Sequence, residues 1–145
     1  MALMPELKTV FASKRIYPDI YQMMKIIPQI LIGFVAIEHI YILWLEMFAW
    51  TTRGKKTFKS FPPDLFEKTK SLAANQGLYN GFLAAGLIWS LIITDPVWST
   101  NVSTFFLSCV IIAGVYGSVT ADKKIFAIQA MPAIIALVVK MLIGA

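Results

Sequence analysis

The run GFVAIEHIYILWLEMFAW, Gly33 to Trp50, is apolar over the length of a helix and yet carries Glu38, His39 and Glu46. Each ionisable side chain at the centre of a bilayer costs about 3 kcal/mol on insertion scales, so such residues predict a protein-lined interior and a chemical reason for being there. The rest of the chain is organised around this stretch.

Hydrophobic residues make up 58% of the 145 positions, and the mean hydropathy of +0.71 places the chain with polytopic membrane proteins. A spanning helix needs about 20 mostly apolar residues. Runs of that kind fall at about 28–50, 73–94, 103–120 and 125–144, predicting an all-α, integral membrane four-helix bundle over residues 28–145. The first run continues through aromatic residues without a small-residue cleavage site, so it reads as a retained span, not a signal peptide.

Residues 1–27 form a leader in which Lys8, Lys14, Arg15 and Lys25 alternate with Phe11, Ile16, Tyr17, Ile20, Tyr21, Met23 and Met24. From Ile16 the apolar positions recur every three or four residues, which suits an amphipathic helix at the membrane interface opened by Pro18; a solvated tail is the alternative for residues 1–14. Pro28 sits where the first span should begin.

The net charge of +5 does not point to nucleic acid, because the cations lie in short loops between apolar runs, where they set orientation and meet anionic lipid. Arg53, Lys55, Lys56, Lys59, Lys68 and Lys70 follow the first run and Lys123 and Lys124 the third, against five cations elsewhere. The positive-inside rule therefore predicts loops 51–72 and 121–124 in the cytoplasm and both termini outside; the membrane expected is a bacterial plasma membrane. An interfacial leader on the inner face would reverse that orientation.

Small residues predict where helices meet. Gly77, Gly81 and Ala85 are four apart on the second run, and Ala113 and Gly117, with Gly114 and Ser118, repeat the spacing on the third. Pro132 predicts a kink in the fourth. Trp50, Trp89 and Trp98, near the ends of runs, read as interface anchors, whereas Trp44 could wall a pocket.

His39 and Glu46 are seven apart and share a helix face, with Glu38 one step round. On the second run Gln76 and Asn80 form one polar pair and Asn75 and Tyr79 the next, while Tyr116 and Gln129 let the third and fourth runs contribute. The nine residues are a candidate ligand or proton site. Amides in membrane bundles also serve as plain interhelical glue, which is the competing reading for Asn75, Gln76 and Asn80. Glu46 could instead snorkel toward the basic loop. A carboxyl at the depth of Glu38 must be neutral or paired with imidazolium, and either state is a place where protons come and go.

A single histidine excludes paired-histidine metal sites and di-iron motifs, leaving at most a weaker set of Glu38, His39 and Glu46, whose neighbours 38 and 39 cannot easily chelate one ion from one helix. No nucleophile elbow, P-loop or dinucleotide fingerprint is present, so neither a metal nor a soluble cofactor is expected. Cys109 stands alone and reads as a small buried hydrophobe.

The blocks EHIYILWLEMFAWTT at 38–52, TKSLAANQGLYNGFLAAGLIW at 69–89 and FAIQAMPAIIAL at 126–137 resemble the small integral membrane proteins grouped as domain of unknown function 1304, over roughly residues 27–144. The resemblance implies a four-helix membrane protein with the Glu-His, Glu and Asn-Gln positions in its signature, and it supplies no activity. A more distant likeness to DoxX-type four-helix membrane proteins is one of fold alone. Three functions compete. The first is transport or binding of a small solute, ion or lipophilic ligand by a bundle in contact with membrane lipid, with homo-oligomerisation left open. The second is a cofactor-independent intramembrane acid/base enzyme for a lipid or isoprenoid-like substrate, with Glu38 and His39 catalytic. The third is a structural subunit.

Overall fold

The computed structural model describes residues 18–143, with side chains from residue 23 onward. Of the leader read as a solvated tail over 1–14 or an interfacial helix from Ile16, residues 1–17 lie outside the described residues. Six α-helices follow in order: α1 Pro18–Phe48, α2 Lys55–Thr57, α3 Leu65–Lys68, α4 Lys70–Ile92, α5 Pro96–Thr120 and α6 Met131–Ile143. No strand occurs among the described residues, and the long helices form an all-α bundle. Helical stretches Met23–Phe48, Pro96–Thr120 and Phe126–Ile143 are long and apolar enough to cross a membrane.

The expected count of four spans is supported for three. Helix α4, at 23 residues and about 34 Å, has the length, but Asn75, Gln76 and Asn80 on top of Lys70 and Ser71 dilute its apolar character. It packs on α1 in the most extensive contact of the molecule.

Pro28 does not start the first helix. Within the described residues the helix is already formed at Pro18 and runs unbroken through Pro28 to Phe48. At the same end of the bundle as Pro28, Asp95 and Pro96 do open a helix: the Asp95 carboxylate accepts from the Trp98 N–H at 2.8 Å, and Pro96 occupies the first turn, where no N–H is needed. Ser99 Oγ donates to the Ser90 carbonyl at 2.8 Å, tying α5 back to α4 across this turn.

Ile32, Val35 and Ala36 of α1, Leu87 of α4, Leu107 and Val110 of α5, and Ala133 and Ala136 of α6 form the core, each essentially inaccessible. Ile30, Phe34, Ile37, Phe82, Phe105 and Ile112 are among the large apolar side chains left outside, as expected for a bundle whose solvent there is lipid. The close approaches are made by a subset of the expected small residues. A Cβ at Gly77 would lie 3.1 Å from the Leu43 carbonyl oxygen, the Met47 nitrogen and the Glu46 Cβ. One at Gly114 would lie 2.7 Å from the Ala130 nitrogen. Ala85 and Ala113 are exposed, so on α5 the tight positions are Gly114 and Gly117, the latter against Ile125. The break expected at Pro132 takes the form of a π-helical stretch, Phe126–Ala130, just before α6, in which Pro132 is the second residue.

The loop after α1 is more ordered than its basic composition suggests. A second π-helical turn, Trp50–Gly54, closes with the Gly54 N–H on the Ala49 carbonyl at 2.9 Å. Trp50 then stacks among Phe58, Phe61 and Phe66, with centroids 5.5, 5.8 and 5.0 Å away, and its indole N–H donates to Thr69 Oγ1 at 3.0 Å. Trp50 is the hub of the loop's own core, where a plain interface anchor was expected.

Candidate functional site

Contacts between α1 and α4 pair Gly33 with Leu91, Leu43 with Gly81, and Glu46 with Gly77. The two helices therefore run antiparallel, and their register sets His39 level with Ala84 and Ala85. Small side chains on α4 leave the room that the polar side chains of α1 occupy.

Glu46 Oε2 accepts from Asn80 Nδ2 at 2.9 Å, the contact through which the two polar stripes meet. The same amide nitrogen lies 3.2 Å from the Gln76 carbonyl one turn below, so Asn80 is held by its own helix as it reaches across. His39 is 1% exposed, and its Nδ1 lies 2.8 Å from the Val35 carbonyl oxygen. A carbonyl can only accept, so Nδ1 carries the hydrogen and Nε2 is the ring nitrogen left to take a proton or accept a hydrogen bond. Glu38 is half-buried, and its Oε2 is enclosed with no hydrogen-bond partner among the described residues.

The remaining members of the nine are not gathered into one pocket. Helix α4 turns Gly77 toward α1, which puts Asn75 and Tyr79 about 160° away on the outer face. Both are exposed, as is Gln76. Tyr116 is 70% exposed for the same reason, since it lies about 200° round α5 from the Gly114 contact. Gln129 sits half-exposed in the π-helical stretch beside Ala130. The spacing showed which residues share a face; it did not show which face meets a neighbour, and Gly77 was the available sign.

Two open grooves lie outside this stripe. One, of about 340 Å³, is lined by Trp44, Ala49, Thr52, Arg53 and Lys56 at the basic end of α1. The other, of about 490 Å³, is lined by Trp89, Ile92, Ile93, Thr94, Asp95 and Trp98 at the α4–α5 turn. Among the described residues no group of three His, Cys, Asp or Glu side chains is arranged to hold a metal ion.

Residues 33–141 match the family described as Protein of unknown function (DUF1304). The chain belongs to this family. Among its relatives is "Uncharacterized protein YpaA" of Lactococcus lactis subsp. lactis, 32% identical over 117 residues, which cover 79% of this chain and 97% of that protein. No solved structure matches the chain. The match to DUF1304 spans Glu38, His39, Glu46 and Asn80 together, and begins at Gly33, inside α1.

Proposed function

We propose that this DUF1304 protein binds or transports a small proton-donating or cationic solute, using Glu38, His39 and Glu46 as a titratable stripe along α1. One observation carries the reading: Glu38 Oε2 is buried in an apolar helix and lacks a hydrogen-bond partner among the described residues. A carboxyl oxygen removed from water without a partner costs several kcal/mol, about 2–7 for a neutral group, so a site of this kind calls for a proton, a cation or a donor on a ligand. His39 Nε2 is an acceptor too, given the Nδ1 contact with Val35. Each of these acceptors, on its own face of α1, favours a ligand that donates.

The working topology places α4 as a fourth span alongside the three apolar helices, with the loops 51–72 and 121–124 in the cytoplasm of a bacterium. Support for α4 comes from its length and from its long antiparallel contact with α1.

The test is proton movement in proteoliposomes loaded with a pH-sensitive dye. An imposed pH gradient should decay faster with the wild-type protein than with Glu38→Gln or His39→Asn, at equal protein content. Decay with wild type no faster than in protein-free vesicles, with and without small amines or alkali cations, overturns the proposal.

A further inference from the structure

The groove at the basic end of α1 is built on a fixed platform. The aromatic cluster of Trp50, Phe58, Phe61 and Phe66 holds the π-helical turn Trp50–Gly54, and Phe66 at its centre is 1% exposed. Arg53 of that turn and Lys56 of α2 are three residues apart and line the same groove as Trp44, Ala49 and Thr52. Neither cation has a carboxylate partner among the described residues; the ion pair in this loop joins Lys68 to Asp64 at 3.1 Å. The lining holds no acidic residue.

We infer that this groove is a binding site for the phosphate of an anionic phospholipid. Arg53 offers a planar fork that fits two phosphate oxygens, and Lys56 adds a point charge on the same side. Trp44 decides between a lipid and a free phosphate. It lies inside the first apolar run, 43% exposed, with Tyr41 and Phe48 exposed near it, so the cationic mouth opens onto a surface suited to acyl chains. Tryptophan, apolar in its ring and polar at its N–H, belongs at this headgroup level. The groove's volume of about 340 Å³ accommodates a headgroup. The remaining basic residues of the loop attract anionic lipid generally; this groove adds a defined position for one molecule.

The experiment is native mass spectrometry of the full-length protein released from detergent, with phosphatidylglycerol or phosphatidylcholine added at equal concentration. Phosphatidylglycerol should stay bound in preference to phosphatidylcholine. Arg53→Gln/Lys56→Gln should weaken its retention roughly ten- to thirtyfold, while Lys123→Gln/Lys124→Gln, which removes the same net charge elsewhere, leaves it unchanged. Both changes fall on exposed side chains, and matching thermal unfolding curves establish that the variants are folded. Equal retention of the two lipids, or equal losses in the two double variants, overturns the site. Displacement of phosphatidylglycerol by inorganic phosphate, beyond that caused by chloride at the same ionic strength, overturns the lipid in favour of a free phosphate ligand.

Discussion

Asn80 of α4 donates to Glu46 of α1 at 2.9 Å, about one helical turn along α4 from where Gly77 lets the two backbones approach. The polar contact and the tight contact thus share one crossing point. Interhelical hydrogen bonds in membrane bundles average about 0.6 kcal/mol, with a maximum near 1.7. A double-mutant cycle of Glu46→Ala and Asn80→Ala, read by reversible unfolding in bicelles, should give a coupling energy in that range. Strictly additive losses would mean the pair contributes no stability of its own.

Gly77 itself should tolerate little. Alanine there requires the Leu43 carbonyl and Met47 nitrogen, both backbone, to give by a few tenths of an ångström, and valine requires more. Overpacking of this kind costs about 1–3 kcal/mol, so Gly77→Val should lower the melting temperature clearly. Gly33→Ala, whose Cβ would meet only Leu91 Cδ1 at 3.9 Å, should leave it near wild type. Similar melting temperatures for the two variants would contradict the register described for α1 and α4.

Trp50 should control the order of the basic loop. Each aromatic pair contributes about 0.5–1.5 kcal/mol beyond its buried area, and Trp50 makes three of them. Trp50→Ala is expected to speed tryptic cleavage at Lys55, Lys56 and Lys59 severalfold. Trp50→Phe, which keeps the stacking and loses the hydrogen bond to Thr69, should fall between alanine and wild type.

The topology makes its own prediction. With Cys109 replaced by serine, a cysteine at Ser60 and one at Thr94, exposed positions in the segments that precede and follow α4, should react with a membrane-impermeant maleimide from opposite sides of the membrane. Thr94→Cys should label in intact cells and Ser60→Cys only after permeabilisation. Labelling of both from one side would remove α4 from the set of spanning helices.

Much of the architecture is legible in the sequence because lipid imposes a simple code: apolar runs at 28–50, 103–120 and 125–144 correspond to helices long and apolar enough to span. The boundaries are less legible. Helix α1 is already formed ten residues before Pro28, since a proline inside a long apolar helix is accommodated when its neighbours pack around it. The basic loop was read by charge, which concealed the Trp50, Phe58, Phe61 and Phe66 pattern that folds it. At the stripe, Glu38, His39 and Glu46 stand out in the sequence as ionisable residues inside an apolar run, and spacing groups Asn75, Gln76, Tyr79 and Tyr116 with them because helical periodicity does not specify the azimuth of a neighbour. Small residues carry that information, and Gly77 and Gly114 locate the contacts that turn those four side chains outward.

Proton exchange at Glu38 within the folded bundle, as proposed, is read by infrared difference spectroscopy of the protein in lipid. Changing the bathing pH should interconvert carboxylic acid and carboxylate bands, and one such pair should vanish in Glu38→Gln while the amide bands stay as in wild type. A wild-type difference spectrum with no carboxyl component removed by Glu38→Gln, across the whole pH range in which the fold persists, would contradict a titratable site on α1.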